Sequence, residues 1–271
     1  MPKFDANISW LFGELPFMER FAAARKAGFE AVEIQLPYDH PKGEIRKRLD
    51  DAGLSVALHN MPAGEWEKGE RGLACLPHRR QAFRDSVALA LEYASALGAP
   101  RLHCMAGLAP KGVEGRVLDE VYVENIRYAG ERAAPLGIEV NIEPINTRDV
   151  PGYFLNRTAQ AEPLLARIGL PNVRLQFDFY HVQIMEGDLL ARFERLLPLV
   201  GHVQIADTPG RHEPGTGEIN YPVVLDRLDA LGYGGWVGCE YRPRAGTVEG
   251  LTWMVPWHGR AGLRRRATSL T

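Results

Sequence analysis

A chain of 271 residues with a formal net charge of -2 and a pI near 6.5 presents no global field to draw it to nucleic acid or to an anionic membrane surface. Its 45% apolar and 24% charged residues are ordinary for a globular protein and speak against long disorder, and no stretch reaches the ~20 apolar residues of a membrane-spanning helix. Cys75, Cys104 and Cys239, without a CxxC pair, indicate neither a disulfide framework nor a zinc knuckle.

Reduced, buried thiols in a cytoplasmic protein are the expectation, and Met1–Asp5 lacks the apolar run of a signal peptide. The first strand is expected at Phe4–Ser9. A phrase then recurs seven times: a helical pattern, a glycine, and a short apolar run ending in polar residues. The glycines are Gly28, Gly53, Gly98, Gly137, Gly169, Gly201 and Gly232. Each is expected at a helix end, where a left-handed residue commonly closes the last turn. The strands that follow are Ala31–Gln35, Ser55–Asn60, Arg101–Ala106, Glu139–Ile145, Val173–Asp178, His202–Ala206 and Trp236–Tyr241. The clearest helix is Pro77–Leu97, with Phe83, Val87, Leu91, Ala94 and Leu97 at helical spacing.

Strict alternation implies parallel strands, because a parallel pair needs a crossover of a dozen or more residues. Eight such units over this length predict an α/β fold closed as a single (β/α)8 TIM barrel, with a doubly wound sheet as the alternative. Residues 1–258 form the barrel domain in this reading. Residues 259–271 are basic, lack apolar periodicity and are expected to be a frayed, disordered tail. Within it Arg264–Ser269 reads as a solvated charge run rather than a phosphorylation or anion site.

Active sites of such barrels are built at the C-terminal ends of the strands. Four strands of the second half end on metal-capable side chains: Glu143, Asp178, Gln204 and Glu240. A carboxylate in an apolar strand is costly to bury unless paired or bound to a cation, and one divalent ion explains all four at once. Pairing each acid with a nearby cation is the blander explanation, and the coincidence of four argues against it. All-oxygen ligands favour Mg²⁺ or Mn²⁺ over zinc. Further donors at other strand ends are His59, Asn60, His103, His181, Gln183 and Arg242. A lone strand histidine is more often a satisfied core residue; His181 is favoured because it closely follows Asp178, with His103 behind it and His59 last. The polar segment Asn60–Gly72 is expected to be a lid. Its Arg71 is the preferred partner for a substrate carboxylate; Arg242 could equally be a surface residue paired with an acid.

The runs Asn141-Ile-Glu-Pro-Ile-Asn146, Asp178-Phe-Tyr-His-Val-Gln183, Gly201-His-Val-Gln-Ile-Ala206 and Gly238-Cys-Glu-Tyr-Arg-Pro243 resemble the hydroxypyruvate isomerase family. So do Asn60-Met-Pro-Ala-Gly64, His103-Cys-Met-Ala-Gly107, His212-Glu-Pro214 and Gly217-Glu-Ile-Asn-Tyr-Pro222. The resemblance runs from about residue 4 to Trp257; the basic tail departs from the family pattern. It implies a xylose-isomerase-like barrel that interconverts hydroxypyruvate and tartronate semialdehyde through a cis-enediolate. Glu143 and Glu240 would be its catalytic pair, and Glu143, Asp178, Gln204 and Glu240 its metal ligands. The partner would be a small sugar acid, with no nucleic acid or membrane, in a possible homo-oligomer. Isomerases of four-carbon 2-oxo acids share much of this pattern. Keto-sugar 3-epimerases usually carry a histidine where Gln204 stands. Apurinic-site endonucleases need more histidines and a basic groove, and a non-catalytic sugar-acid-binding protein would be expected to lose one of the two glutamates.

Overall fold

The computed structural model describes residues 2–258; the expected disordered tail, 259–271, lies outside the described residues. Eight parallel strands close in sequence order into a barrel: β1 (Lys3–Asn7), β2 (Ala31–Ile34), β3 (Ser55–Asn60), β4 (Arg101–His103), β5 (Glu139–Ile142), β6 (Val173–Asp178), β7 (Val200–Ile205) and β8 (Trp236–Cys239). Closure is made by β1 on β8, with Phe4 opposite Val237 and Ala6 opposite Cys239. The crossover helices include α1 (Arg20–Lys26), α2 (Lys42–Ala52), α3 (Arg80–Leu97), α4 (Gly115–Ala133), α5 (Thr158–Ile168), α6 (Phe179–Met185), α7 (Leu189–Leu196) and α8 (Tyr221–Ala230). In α3 the expected apolar stripe is buried at Phe83, Val87, Leu91, Ala94 and Leu97. The open-sheet alternative is thereby excluded. No described helix is long and apolar enough to cross a membrane, and the three cysteines are buried and free.

Several strands stop short of their expected ends. Arg101–Ala106 is a strand only to His103, Glu139–Ile145 to Ile142, and Trp236–Tyr241 to Cys239. Beyond these points Met105, Glu143, Ile145 and Glu240 leave the ladder and line the cavity at the barrel mouth, which is why apolar patterning overestimates strand length there. Six of the punctuating glycines have positive φ at helix ends, Gly98 at 68° being one. Gly201 does not. It lies inside β7, where an added Cβ would sit 2.6 Å from both Arg174 Cβ and Asn141 Oδ1; close packing, and not a helix end, requires glycine there.

Below the mouth the barrel interior is polar. Asp5 and Asn7 of β1, Glu33 of β2, Asn141 of β5, Gln176 of β6, and His202 and Gln204 of β7 are all buried. Apolar side chains such as Val32, Val140, Phe177 and Val203 belong to the continuous hydrophobic core. Outside β6, Phe177, Phe179 and Phe193 meet with ring centroids 4.9 to 5.5 Å apart, joining the strand to α6 and α7.

Candidate active site

Three carboxylates reach the mouth by different local means. Glu143 is the first residue past β5, and Glu240 the first past β8. Asp178 ends β6 and caps α6: its Oδ1 accepts from Tyr180 N at 2.8 Å, the usual way an N-terminal amide is satisfied. Capping uses one oxygen and leaves Oδ2 for the site. Glu240 is held at Oε1 by Gln35 Nε2 at 2.7 Å and Asn7 Nδ2 at 3.1 Å, while its Oε2 pairs with Arg211.

Glu143, Asp178 and His181 bring ligand atoms within 4.8 Å of one another. Glu143 Oε1 and Asp178 Oδ2 are buried without a hydrogen-bond partner. Burial raises the Glu143 carboxyl well above the ordinary range, and the nearby charges of Glu240 and Asp178 push it further. Burial likewise lifts Asp178 to about 6 and Glu240 to about 7, each opposed by the Arg211 charge. Arg211 offsets part of this crowded negative charge, but three buried carboxylates face one another and two of their oxygens accept no hydrogen bond, so the residues present fit a divalent ion.

His181 is aimed at these acids. Its Nε2 lies 3.5 Å from Asp178 Oδ2 and 3.8 Å from Glu143 Oε1. Burial first, then the charges of Arg211 and His103, hold it well below the usual histidine range. His103 Nε2 stands 3.3 Å from Glu143 Oε2, but burial, aided by His202, pushes its imidazole down to about 3. Both rings are neutral at neutral pH, so these contacts are not salt bridges.

Gln204 lies beneath this group. Its Oε1 accepts from Gln176 Nε2 at 2.7 Å and its Nε2 donates to Glu33 Oε2 at 2.7 Å. A second cluster, Asp5, Glu33 and His202, sits with it inside the barrel. There the His202 imidazole is hydrogen bonded to Glu33, and burial raises the Asp5 carboxyl, with the Glu33 charge adding to it.

Above the acids opens a cavity of about 560 Å³ whose walls include Glu143, Glu240, His103, His181, Asn60 and Arg71. Arg71 stacks on Trp66, its guanidinium 3.7 Å from the ring centre, so the expected lid does bring a cation to the rim. Arg242 also lines the cavity and lies over the Trp10 ring at 5.0 Å. It is therefore placed on the cavity side rather than only on the outer surface. Two expected donors are placed elsewhere. His59 is buried, with Nδ1 at 3.0 Å from Asn60 O, and burial pulls it down to about 4; it is a core histidine. Gln183 donates to Glu218 at 3.3 Å on an exposed face.

Arg211 is the principal site residue that sequence reasoning missed. Its guanidinium pairs with Glu240 and lies 3.6 Å from Asp178 Oδ2, over the rings of Trp10 and Tyr180. It comes from the loop after β7, with φ of 57°. Asp207 organises that loop by accepting from the backbone N–H groups of Thr208, Gly215, Gly217 and Ile219 at 2.9 to 3.1 Å. The nearest signal was the motif beginning at His212, one residue later.

Comparison with known proteins identifies the family of this barrel. A family model described as a xylose isomerase-like TIM barrel matches residues 21–257. The chain is 50% identical to a 2-oxo-tetronate isomerase of Cupriavidus necator, covering 96% of this chain and 100% of that one. It is 45% identical to a hydroxypyruvate isomerase of Escherichia coli, covering 95% and 100%. A crystal structure from Brucella melitensis, titled as an AP endonuclease of family 2, superposes with a TM-score of 0.93 at 47% identity, covering 95% of this chain and 99% of that one. With a matching family model over most of its length and isomerases among its full-length relatives, the chain belongs to the xylose isomerase-like TIM barrel family.

Proposed function

We propose that the protein is a metal-assisted aldose–ketose isomerase of small sugar acids, interconverting hydroxypyruvate and 2-hydroxy-3-oxopropanoate. The observation that carries this reading is the pair of buried carboxylate oxygens without a hydrogen-bond partner, Glu143 Oε1 and Asp178 Oδ2, beside a cavity that Glu143 and Glu240 both line. Glu143, Asp178, Gln204 and Glu240 are the residues that would hold a divalent ion, and oxygen donors favour Mg²⁺ or Mn²⁺. Such an ion would polarise the adjacent carbonyl and hydroxyl oxygens of the substrate.

The chain's own groups supply the proton chemistry. In the forward direction a proton leaves C3 and one arrives at C2, while the hydroxyl proton passes from O3 to O2. Glu143 and Glu240, on strands well separated around the barrel, suit removal at one carbon and delivery at the other. His181 presents a neutral ring to the same space. Arg71 at the rim is the proposed partner of the substrate carboxylate.

A four-carbon 2-oxo acid is the second reading. It is supported by the Cupriavidus necator relative, named a 2-oxo-tetronate isomerase. The pit between Trp10 and Trp66 and the formal charge of -2 do not favour a nucleic-acid substrate. Retention of both glutamates supports an enzyme over a binding protein. The test is turnover of hydroxypyruvate and of a 2-oxo-tetronate by Mn²⁺-loaded and chelated protein. No turnover of either acid by the loaded protein refutes the proposal.

A further inference from the structure

We infer that Glu33 is a positioning residue for the cation site, acting through Gln204 and Asn7; the inference rests on the metal-assisted reading above. Glu33 is fully buried in the barrel. Its Oε1 is hydrogen bonded to the His202 imidazole, and its Oε2 accepts from Gln204 Nε2 at 2.7 Å and Asn7 Nδ2 at 3.1 Å. The same Asn7 amino group donates to Glu240 Oε1 at 3.1 Å. Opposite stands Gly238, where a Cβ would lie 2.0 Å from Glu33 Oε1, so β8 leaves room for this carboxylate.

The donors around Glu33 have a direction. A carboxylate only accepts, whereas an amide donates at one end and accepts at the other. Glu33 therefore turns Nε2 of Gln204 toward itself and leaves Oε1 as the end available to a cation. Gln176 agrees by donating to that oxygen. Asn7 is oriented the same way, since its Oδ1 accepts from Ser9 N at 3.1 Å. Asn7 thus links Glu33 to Oε1 of Glu240 and leaves Oε2 facing the site. A purely space-filling role would not require this ordering. Partners that orient metal ligands typically account for 10- to 100-fold in affinity.

The test is a calorimetric Mn²⁺ titration of wild type, Glu33→Gln, Gln204→Glu and the double variant, with thermal unfolding of each in chelator. Glu33→Gln is expected to weaken Mn²⁺ binding about 10- to 100-fold while keeping a cooperative melt. The sign of the Gln204→Glu effect should reverse with the background. Binding should weaken where Glu33 is kept, because two carboxylates would face each other, and strengthen in the Glu33→Gln background, where donor and acceptor are exchanged. If Glu33→Gln does not fold, Glu33→Asp, which withdraws the carboxylate by one methylene, should lower affinity about tenfold. Unchanged affinity in a folded Glu33 variant, or the same sign for Gln204→Glu in both backgrounds, overturns the inference alone. A wild type that binds no Mn²⁺ overturns the metal-assisted reading and this inference with it.

Discussion

The side-chain amide of Asn146 donates to Nδ1 of His181 at 2.6 Å. Its direction is set because Asn146 Oδ1 accepts from Asp149 N at 2.8 Å. Nδ1 of a neutral ring that accepts must be the unprotonated nitrogen, so the proton sits on Nε2. His181 therefore turns an N–H, and not a lone pair, toward Asp178 Oδ2 at 3.5 Å and Glu143 Oε1 at 3.8 Å.

Replacing Asn146 with Asp puts an acceptor opposite Nδ1 and favours the other tautomer. Turnover should fall about 10- to 100-fold, with Mn²⁺ affinity changed much less. Long-range nitrogen–proton NMR of His181 reads the tautomer directly. A variant that keeps both the Nε2–H form and the wild-type rate would remove Asn146 from this role.

Glu143→Gln and Glu240→Gln should each lower kcat by at least about 100-fold, within the range attributed to a positioned acid or base, while circular dichroism and melting stay those of a folded barrel. Near-normal turnover in either variant contradicts the paired-carboxylate scheme.

Chelation should abolish activity, with Mg²⁺ or Mn²⁺ restoring it better than Ca²⁺, which prefers a larger and more flexible oxygen shell. Added Mn²⁺ should also raise the melting temperature by mass action. Full activity in metal-free protein would count against the cation site.

In chelator, the raised carboxyls give stability a distinctive pH dependence. Folding favours their protonated forms, so their contribution is complete below the ordinary values of 3.8 for Asp178 and 4.5 for Glu240. It is lost as pH rises through about 6 for Asp178 and about 7 for Glu240. The melting temperature of metal-free protein should therefore decline relative to Asp178→Asn/Glu240→Gln between about pH 4 and 7, and Mn²⁺ should flatten the decline. Thermal scans of both proteins across this window check it; parallel curves without metal would refute the assignment.

The two arginines should separate by kinetic signature. Arg71→Ala is expected to raise KM for hydroxypyruvate about tenfold or more, as loss of a charged hydrogen bond would, with little effect on uncharged dihydroxyacetone. Arg211→Ala should lower kcat for both, because Arg211 touches Asp178 and Glu240 directly. Equal losses on the two substrates in Arg71→Ala would place the carboxylate elsewhere.

The barrel was legible because its repeats are local: each helix and strand carries its own apolar period, and parallel closure follows from their alternation. That Glu143, Asp178 and Glu240 meet at the barrel mouth could be read because a strand end is a position that can be counted, whereas Gln204 lies beneath them, bonded to Gln176 and Glu33. Arg211 was not, since it reaches the acids from an irregular loop held by Asp207, and no periodicity marks that path. Glu33 escaped for a different reason. In Ala31–Gln35 it reads, like Gln35, as a polar residue alternating with apolar ones, and only barrel closure brings His202 and Gln204 to it across the interior. Gly201 was assigned to a helix end because nothing local distinguishes glycine needed for backbone freedom from glycine needed for space.

The rim segment carrying Arg71 is tied at its base, with Gly72 N bonded to Ala63 O at 2.8 Å. Gly72 also lies so close to β4's extension that a Cβ would meet Met105 O at 2.3 Å. Between these ties Glu70 accepts from Glu65 N, and Arg71 donates to the Trp66 and Glu70 carbonyls, while Glu70 also pairs with Arg79, just before α3. Such an Ω-loop is joined to the scaffold by a few identifiable ties, Arg79 among them. Residues 64–71 can be exchanged as a cassette, so the size and charge of the acid accepted can diversify among descendants of this barrel while the groups performing proton transfer stay untouched.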